Sequence, residues 1–195
     1  MNGNVLIFER EVLSLAIIEK ELYQLYTNLS EKVEDLSVKT LFSYIATDSW
    51  KHSTILAKIM DEVNGQKVRE NDCAANIIYN KNLIKTLSKD IENSERIGQE
   101  ELISLIDTLT NFENLLFNEY KKAFHLEYSG FIKDKPDKND EKDLNILTLI
   151  VGDEKRHKRI LSSIITLCDK KLSFKHDAPI VKYQNPDSWY IPPRK

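Results

Sequence analysis

Apolar residues recur at three- and four-residue intervals along most of this chain, the spacing that gives an α-helix one buried stripe. Val12, Leu15, Ala16, Leu22, Tyr23 and Tyr26 predict a first helix over about residues 5–34. Ser37 is placed to cap a second helix that reaches about residue 63, with Val38, Leu41, Phe42, Ile45, Ile55 and Ile59 inward and Asn64-Gly65 ending it. A weaker pattern of Ile77, Ile84, Leu87 and Ile91, over about 74–93, reads as a helical crossover that Gly98 closes. The clearest stripe follows over about 99–128, in Leu102, Leu105, Ile106, Leu109, Phe112, Leu116, Tyr120 and Phe124. Beyond a polar loop at 129–139 that contains Pro136, Leu147, Ile150, Val151, Leu161, Ile164 and Ile165 mark a last helix over about 142–168. The end of the chain sets Pro179, Pro186, Pro192 and Pro193 among Tyr183, Trp189, Tyr190 and Ile191, which suits an extended arm and not a helix. The pattern therefore predicts an all-α bundle of four long helices over residues 1–176, with a crossover between the second and third. It also predicts a tail over 177–195 that lies across the bundle or on a second subunit of a homodimer.

Composition narrows the class without changing the fold. With 195 residues, 41% hydrophobic and 30% charged but only 5 Gly and 5 Pro, the chain can enclose one core and is not a turn-rich β architecture. The net charge of −3, from 28 basic and 31 acidic residues with no long basic run, argues against a nucleic-acid partner. Cys73 and Cys168 form no Cys-x-x-Cys pair, so neither a disulfide framework nor a cysteine metal site is expected. Glu9, Arg10 and Glu11 interrupt the first apolar stretch, and no segment approaches the ~18 uncharged apolar residues that span a membrane. An intracellular, cytoplasmic protein is the resulting expectation.

The chemistry lies in ionisable residues on the apolar stripes, where desolvation must be compensated. At about 100° per residue, Glu19 falls near the centre of the first stripe while Glu21 points the other way. Glu113 falls in the middle of the fourth stripe, and Glu119 outside it. Glu154 and His157 share one face of the last helix one turn apart, a chelating arrangement. His52 sits on the second stripe, but Ser49 stands three residues before it and Asp48 is the nearest carboxylate. Glu19 precedes Tyr26 by seven and Glu113 precedes Tyr120 by seven, so the halves are related by an approximate duplication. One Glu from each of two helices and Glu-x-x-His from each of the other two is the scheme that holds two metal ions in a bundle. One position of the six, Ser49, departs from it.

Segments such as Glu19-Lys-Glu-Leu-Tyr-Gln-Leu-Tyr26 and Asp153-Glu154-Lys-Arg-His157 resemble the ligand helices of the ferritin-like superfamily, particularly rubrerythrin-type di-iron carboxylate proteins, over roughly residues 8–168. The resemblance implies Glu19 and Glu113 as terminal carboxylates, Glu154 as a bridging carboxylate, and His52 and His157 as imidazole ligands. Tyr26 and Tyr120 would at most hydrogen-bond a ligand, and Asp48 would substitute for the carboxylate missing at Ser49. The implied cofactor is iron, one or two ions, with other divalent metals open, and the implied activity is reduction of peroxide or dioxygen, of peroxidase or ferroxidase type. With no rubredoxin cysteines in the sequence, electrons would come from an external donor. Ser49 keeps two other readings open: a non-catalytic ferritin-like scaffold with a degenerate site, and an iron-binding or storage protein.

Overall fold

The computed structural model describes residues 3–63, 69, 73, 75–131 and 140–177. Among these the chain forms five helices and no strand: α1 (Gly3–Lys32), α2 (Leu36–Val63), α3 (Ala75–Asn93), α4 (Gln99–Phe131) and α5 (Asp140–Asp177). The loops predicted at Asn64-Gly65 and around Pro136, and the arm carrying Tyr183, Trp189, Tyr190 and Ile191, lie outside the described residues.

α1 and α2 are joined by three residues, which forces them antiparallel. The cap at the start of α2 is Asp35 and not Ser37: Val38 N donates to Asp35 Oδ1 at 2.9 Å and Lys39 N to Asp35 O at 2.8 Å. The helix starts two residues earlier than Ser37 would have set it, and an aspartate at the N-cap also answers the positive end of the helix dipole.

Residue pairings fix the topology. His52 meets Glu19 across α1 and α2, Tyr26 meets Glu113 while Tyr120 meets Glu19 across α1 and α4, and His52 meets Asp153 while His157 meets Asp48 across α2 and α5. Each of these pairs runs antiparallel, so α2 and α4 point the same way and the chain must travel back along the bundle between them. α3 makes that return, parallel to α1. Asn28 Nδ2 donates to both Ser88 O and Ser88 Oγ at 3.0 Å, Lys32 Nζ donates to Ser94 O at 2.7 Å, and Ile97 N donates to Lys32 O at 3.0 Å. The architecture is thus the all-α, ferritin-like bundle with a helical crossover.

Because α3 lies against it, α1 is buried on more than the single stripe that periodicity predicts. Ile18, Leu25 and Leu29 are as buried as Val12, Leu22 and Tyr26, and Glu21 is partly buried where the helical wheel predicts a solvent face. No helix among the described residues is long and apolar enough to cross a membrane.

Candidate metal centre

Glu19 on α1, His52 on α2, Glu113 on α4, and Glu154 and His157 on α5 all point into the middle of the bundle, none more than 2% exposed. They form two groups, Glu19 with His52 and Glu154, and Glu113 with Glu154 and His157, each offering three ligand atoms within 4.8 Å of one another. Glu154 belongs to both. Its Oε1 lies 3.4 Å from His52 Nδ1 and 3.8 Å from His157 Nδ1, between the two rings, whose centres are 6.0 Å apart.

The surrounding hydrogen bonds repeat across the two halves. Tyr26 on α1 donates to Glu113 on α4, and Tyr120 on α4 donates to Glu19 Oε1 on α1 at 2.7 Å. His52 Nδ1 is 3.0 Å from Glu19 Oε1, and His157 Nδ1 is 3.1 Å from Glu113 Oε2. On its other edge, each ring meets an aspartate of the opposite half, His52 Nε2 at 3.3 Å from Asp153 Oδ2 and His157 Nε2 at 3.3 Å from Asp48 Oδ2. A basic residue three positions on holds each aspartate in turn, Lys51 for Asp48 and Arg156 for Asp153 at 2.7 Å. Arg156 also donates to Tyr44 Oη at 2.9 Å.

This arrangement settles where Asp48 sits. One oxygen faces His157 Nε2 and the other Lys51, and it belongs to neither three-ligand group. Its shorter side chain stops at the outer edge of the ring, where a carboxylate fixes the tautomer and orientation of a metal-binding histidine. Asp153 does the same for His52, a role that helical spacing alone does not assign. The repeat that would have exposed it is Asp-x-x-basic-His, present as Asp48 to His52 and again as Asp153 to His157. Replacing Asp48 by asparagine should lower metal affinity by roughly 10–100-fold. Calorimetric titration with ferrous iron or cobalt under anaerobic conditions checks this, and equal affinity in both proteins would deny Asp48 its part.

Both nitrogens of each ring face carboxylate oxygens, which only accept, so these contacts favour the doubly protonated ring. Burial opposes that charge on His157, but Asp48 and Glu113 override it and push the ring up to about 10. His52 is raised in the same sense, with Glu19 outweighing the effect of burial. Burial works against Glu113 too, yet the adjacent His157 holds its carboxyl below the usual range. Glu154 is the exception. Burial drives its carboxyl well above the usual range, and the nearby charges of Glu19 and Glu113 add to the shift.

Three carboxylates thus converge on two imidazoles in a space closed to water. Glu19 Oε2 and both oxygens of Glu154 are buried with no hydrogen-bond partner. Leaving such groups unpaired costs ~1–3 kcal/mol each, more when charged, so their orientation calls for a cation. Hard oxygen donors mixed with imidazole suit a divalent ion such as iron, manganese or zinc. Ser49 Oγ, at the position equivalent to Glu154 in the other half, is likewise buried without a partner.

No curated protein and no solved structure matches this chain. The family model described as Rubrerythrin matches residues 11–126, a span that takes in Glu19, Tyr26, His52, Glu113 and Tyr120 and stops before α5. α5 then supplies Glu154 and His157 to the same site. With its helical bundle, its paired Glu and His groups and the larger part of its length matched, the chain belongs to the rubrerythrin family.

Proposed function

We propose that this protein is a rubrerythrin-like non-haem iron protein that holds one or two iron ions among Glu19, His52, Glu113, Glu154 and His157 and reduces peroxide or dioxygen with electrons from an external donor. One observation carries the reading: a fully buried carboxylate, Glu154, lies unbonded between two histidine Nδ1 atoms and is common to both ligand groups. The two rings are already matched by Glu19 and Glu113, so a third buried carboxylate between them is poorly compensated, and metal cations would supply the missing charge.

Bound iron would supply the change of oxidation state that reduction of peroxide requires. Glu113 and His157 would hold it in one half, Glu19 and His52 in the other, with Glu154 common to both. Tyr26 fixes Glu113 Oε1 and leaves Oε2 facing His157 Nδ1, while Tyr120 fixes Glu19 Oε1 and leaves Oε2 without a partner. Asp48 and Asp153 keep a proton on Nε2 of each ring, so that Nδ1 is the nitrogen presented to the centre. Ser49 contributes no carboxylate, so the two positions are unequal, and that inequality favours a single tightly held ion as the alternative to a full pair.

Loading should release protons. With Asp48 and Glu113 pushing its ring up to about 10, His157 is protonated at neutral pH before metal binds and would lose its Nδ1 proton to become a ligand. Apparent affinity should therefore rise with pH through the neutral range up to about that value, with at least one proton released per chain. The test is anaerobic titration with ferrous iron in weak buffer, with bound iron, proton release and the spectrum after hydrogen peroxide recorded together. Iron bound with proton uptake or none would refute the ligand assignment. Iron bound and released intact, with no oxidation by peroxide or dioxygen, would favour the scaffold reading.

A further inference from the structure

Behind Glu113, Glu154 and His157, on the outer side of α4 and α5, cations collect around one aromatic ring. Phe117, half-buried, follows Glu113 by one helical turn, and the Nζ atoms of Lys121, Lys155 and Lys158 lie 4.8, 5.6 and 4.3 Å from its ring centre. Lys155 and Lys158 are the residues directly after Glu154 and His157. Lys155 and Lys158 also line a groove of 410 Å³ with Arg159 and Ser162, and Lys121 borders a second recess of 220 Å³ with Val151. Among the described residues, none of Lys121, Lys155, Lys158 and Arg159 is paired with a carboxylate, and no acidic residue lines either recess. Among the described residues, the Lys and Arg ion pairs include Lys51 with Asp48, Arg96 with Glu34, Lys122 with Glu11 and Glu119, and Arg156 with Asp153, and the whole chain carries a net charge of −3, so this positive cluster runs against the overall balance.

Gly152 points to the same face. It lies exposed in the middle of α5, and a Cβ there would meet nothing within 4 Å. A glycine inside a helix is costly relative to alanine, and among the described residues nothing approaches closely enough to require one at this position. It leaves the α5 backbone bare between Thr148 and Lys155, open to a surface pressed closely against it.

We infer that the α4–α5 face centred on Phe117 is the docking surface for an acidic electron-carrier protein, which rests on the reading that the site reduces peroxide or dioxygen. Unpaired cations around a hydrophobic ring match a partner whose carboxylates surround an apolar contact, and complementary charge mainly speeds and orients encounter. The patch is confined to about two helical turns and has no extended stripe of basic residues, which a nucleic-acid backbone would need. A carrier seated there is one helical turn, about 6 Å along α4, from Glu113. For each hydrogen peroxide converted to two waters, the carrier is oxidised by two electrons, one per docking of a one-electron carrier, and solvent supplies two protons.

The experiment compares wild type, the Lys121→Glu/Lys155→Glu/Lys158→Glu variant and a control with Lys20→Glu/Lys58→Glu on the α1–α2 face. Iron-loaded protein oxidised with peroxide is mixed at low salt with a reduced acidic ferredoxin, and the re-reduction rate is divided by the rate the same variant shows with dithionite. Binding of oxidised ferredoxin to the metal-free proteins is measured by calorimetry in parallel. The proposal expects about a tenfold or greater loss in the triple variant for both readouts, little change in the control, and a rate that falls with salt. Equal behaviour of the triple variant and the control would overturn it. So would reduced cytochrome c, a basic carrier, serving as well as ferredoxin, or a DNA duplex binding the face more tightly than ferredoxin does. If the iron-loaded protein accepts electrons from no donor, dithionite included, while calorimetry still shows the loss on charge reversal, the docking surface stands and the redox reading fails.

Discussion

Glu154→Leu should abolish metal binding at both positions and, in the same protein, raise the stability of the metal-free fold. Glu154 is the one member common to the two ligand groups, so its loss leaves only Glu19 with His52 on one side and Glu113 with His157 on the other. Two donors apiece do not hold a divalent ion tightly at neutral pH. Before metal binds, however, three carboxylates meet the inner edges of two imidazoles, and Glu154 is the one held well above the usual range by burial and by the charges of Glu19 and Glu113. Removing it leaves two matched pairs, Glu19 with His52 at 3.0 Å and Glu113 with His157 at 3.1 Å. Apolar replacement of a buried, poorly compensated ionic group commonly stabilises by ~1–4 kcal/mol. In a chain of this length, each kcal/mol corresponds to about 2–4 °C in melting temperature. Thermal melts with and without ferrous iron or cobalt give both signs at once: the variant should melt above the metal-free wild type and show no further gain on adding metal. Glu21→Leu, at a partly buried position off the site, should keep the metal-dependent gain. A Glu154→Leu protein that still melts higher with metal would mean that Glu154 is not shared.

Ser49→Glu should do the reverse, weakening the metal-free protein and completing the second half of the site. Ser49 lies three residues before His52, as Glu154 does before His157, and its buried hydroxyl has no partner. A hydroxyl cannot neutralise or bridge two cations, so the wild type should hold one ion tightly near Glu113, Glu154 and His157, with the second weak. A glutamate at 49 would add a fourth carboxylate to Glu19, Glu113 and Glu154 at the centre, and without metal an uncompensated charge of this kind costs ~3–5 kcal/mol. With metal, the added charge should raise the stoichiometry toward two per chain. Titration of both proteins with cobalt under anaerobic conditions decides it. Two equally tight sites in the wild type would show that another group already completes the centre. A variant that is destabilised yet gains no second ion would show that the α2 half has lost the geometry of a ligand.

The buried cluster of candidate ligands was legible because a carboxylate or imidazole on an apolar stripe conflicts with the rule that makes the stripe. Glu19, Glu113, Glu154 and His157 each break an otherwise hydrophobic face, and the repeated spacing to Tyr26 and Tyr120 ties the halves together. The structure adds the crossing of the partners: Tyr26 serves Glu113, Tyr120 serves Glu19, and the aspartates cross over in the same way. No periodicity within one helix can show this, since it depends on which helix faces which. Asp48 illustrates the difference. On a helical wheel it lies close enough to the stripe of α2 to pass for a ligand, but the antiparallel approach of α5 puts its oxygens on the outer edge of His157 and beside Lys51.

The sequence by itself determined the five helices, the inward register of the metal-ligand candidates and the duplication that relates the halves, because helical period and the cost of buried charge are local properties. Only the tertiary structure decided that α1 is covered on several sides, that Asp35 and not Ser37 starts α2, and that one carboxylate is common to two groups of ligands. Those outcomes follow from packing. α3 returns along α1 to reconnect parallel helices, buries Asn28 against Ser88, and turns positions that would face water on an isolated helix into interior. A shared carboxylate exists only where four helices bring their side chains to one point, and the distances between helices are not written along any one of them.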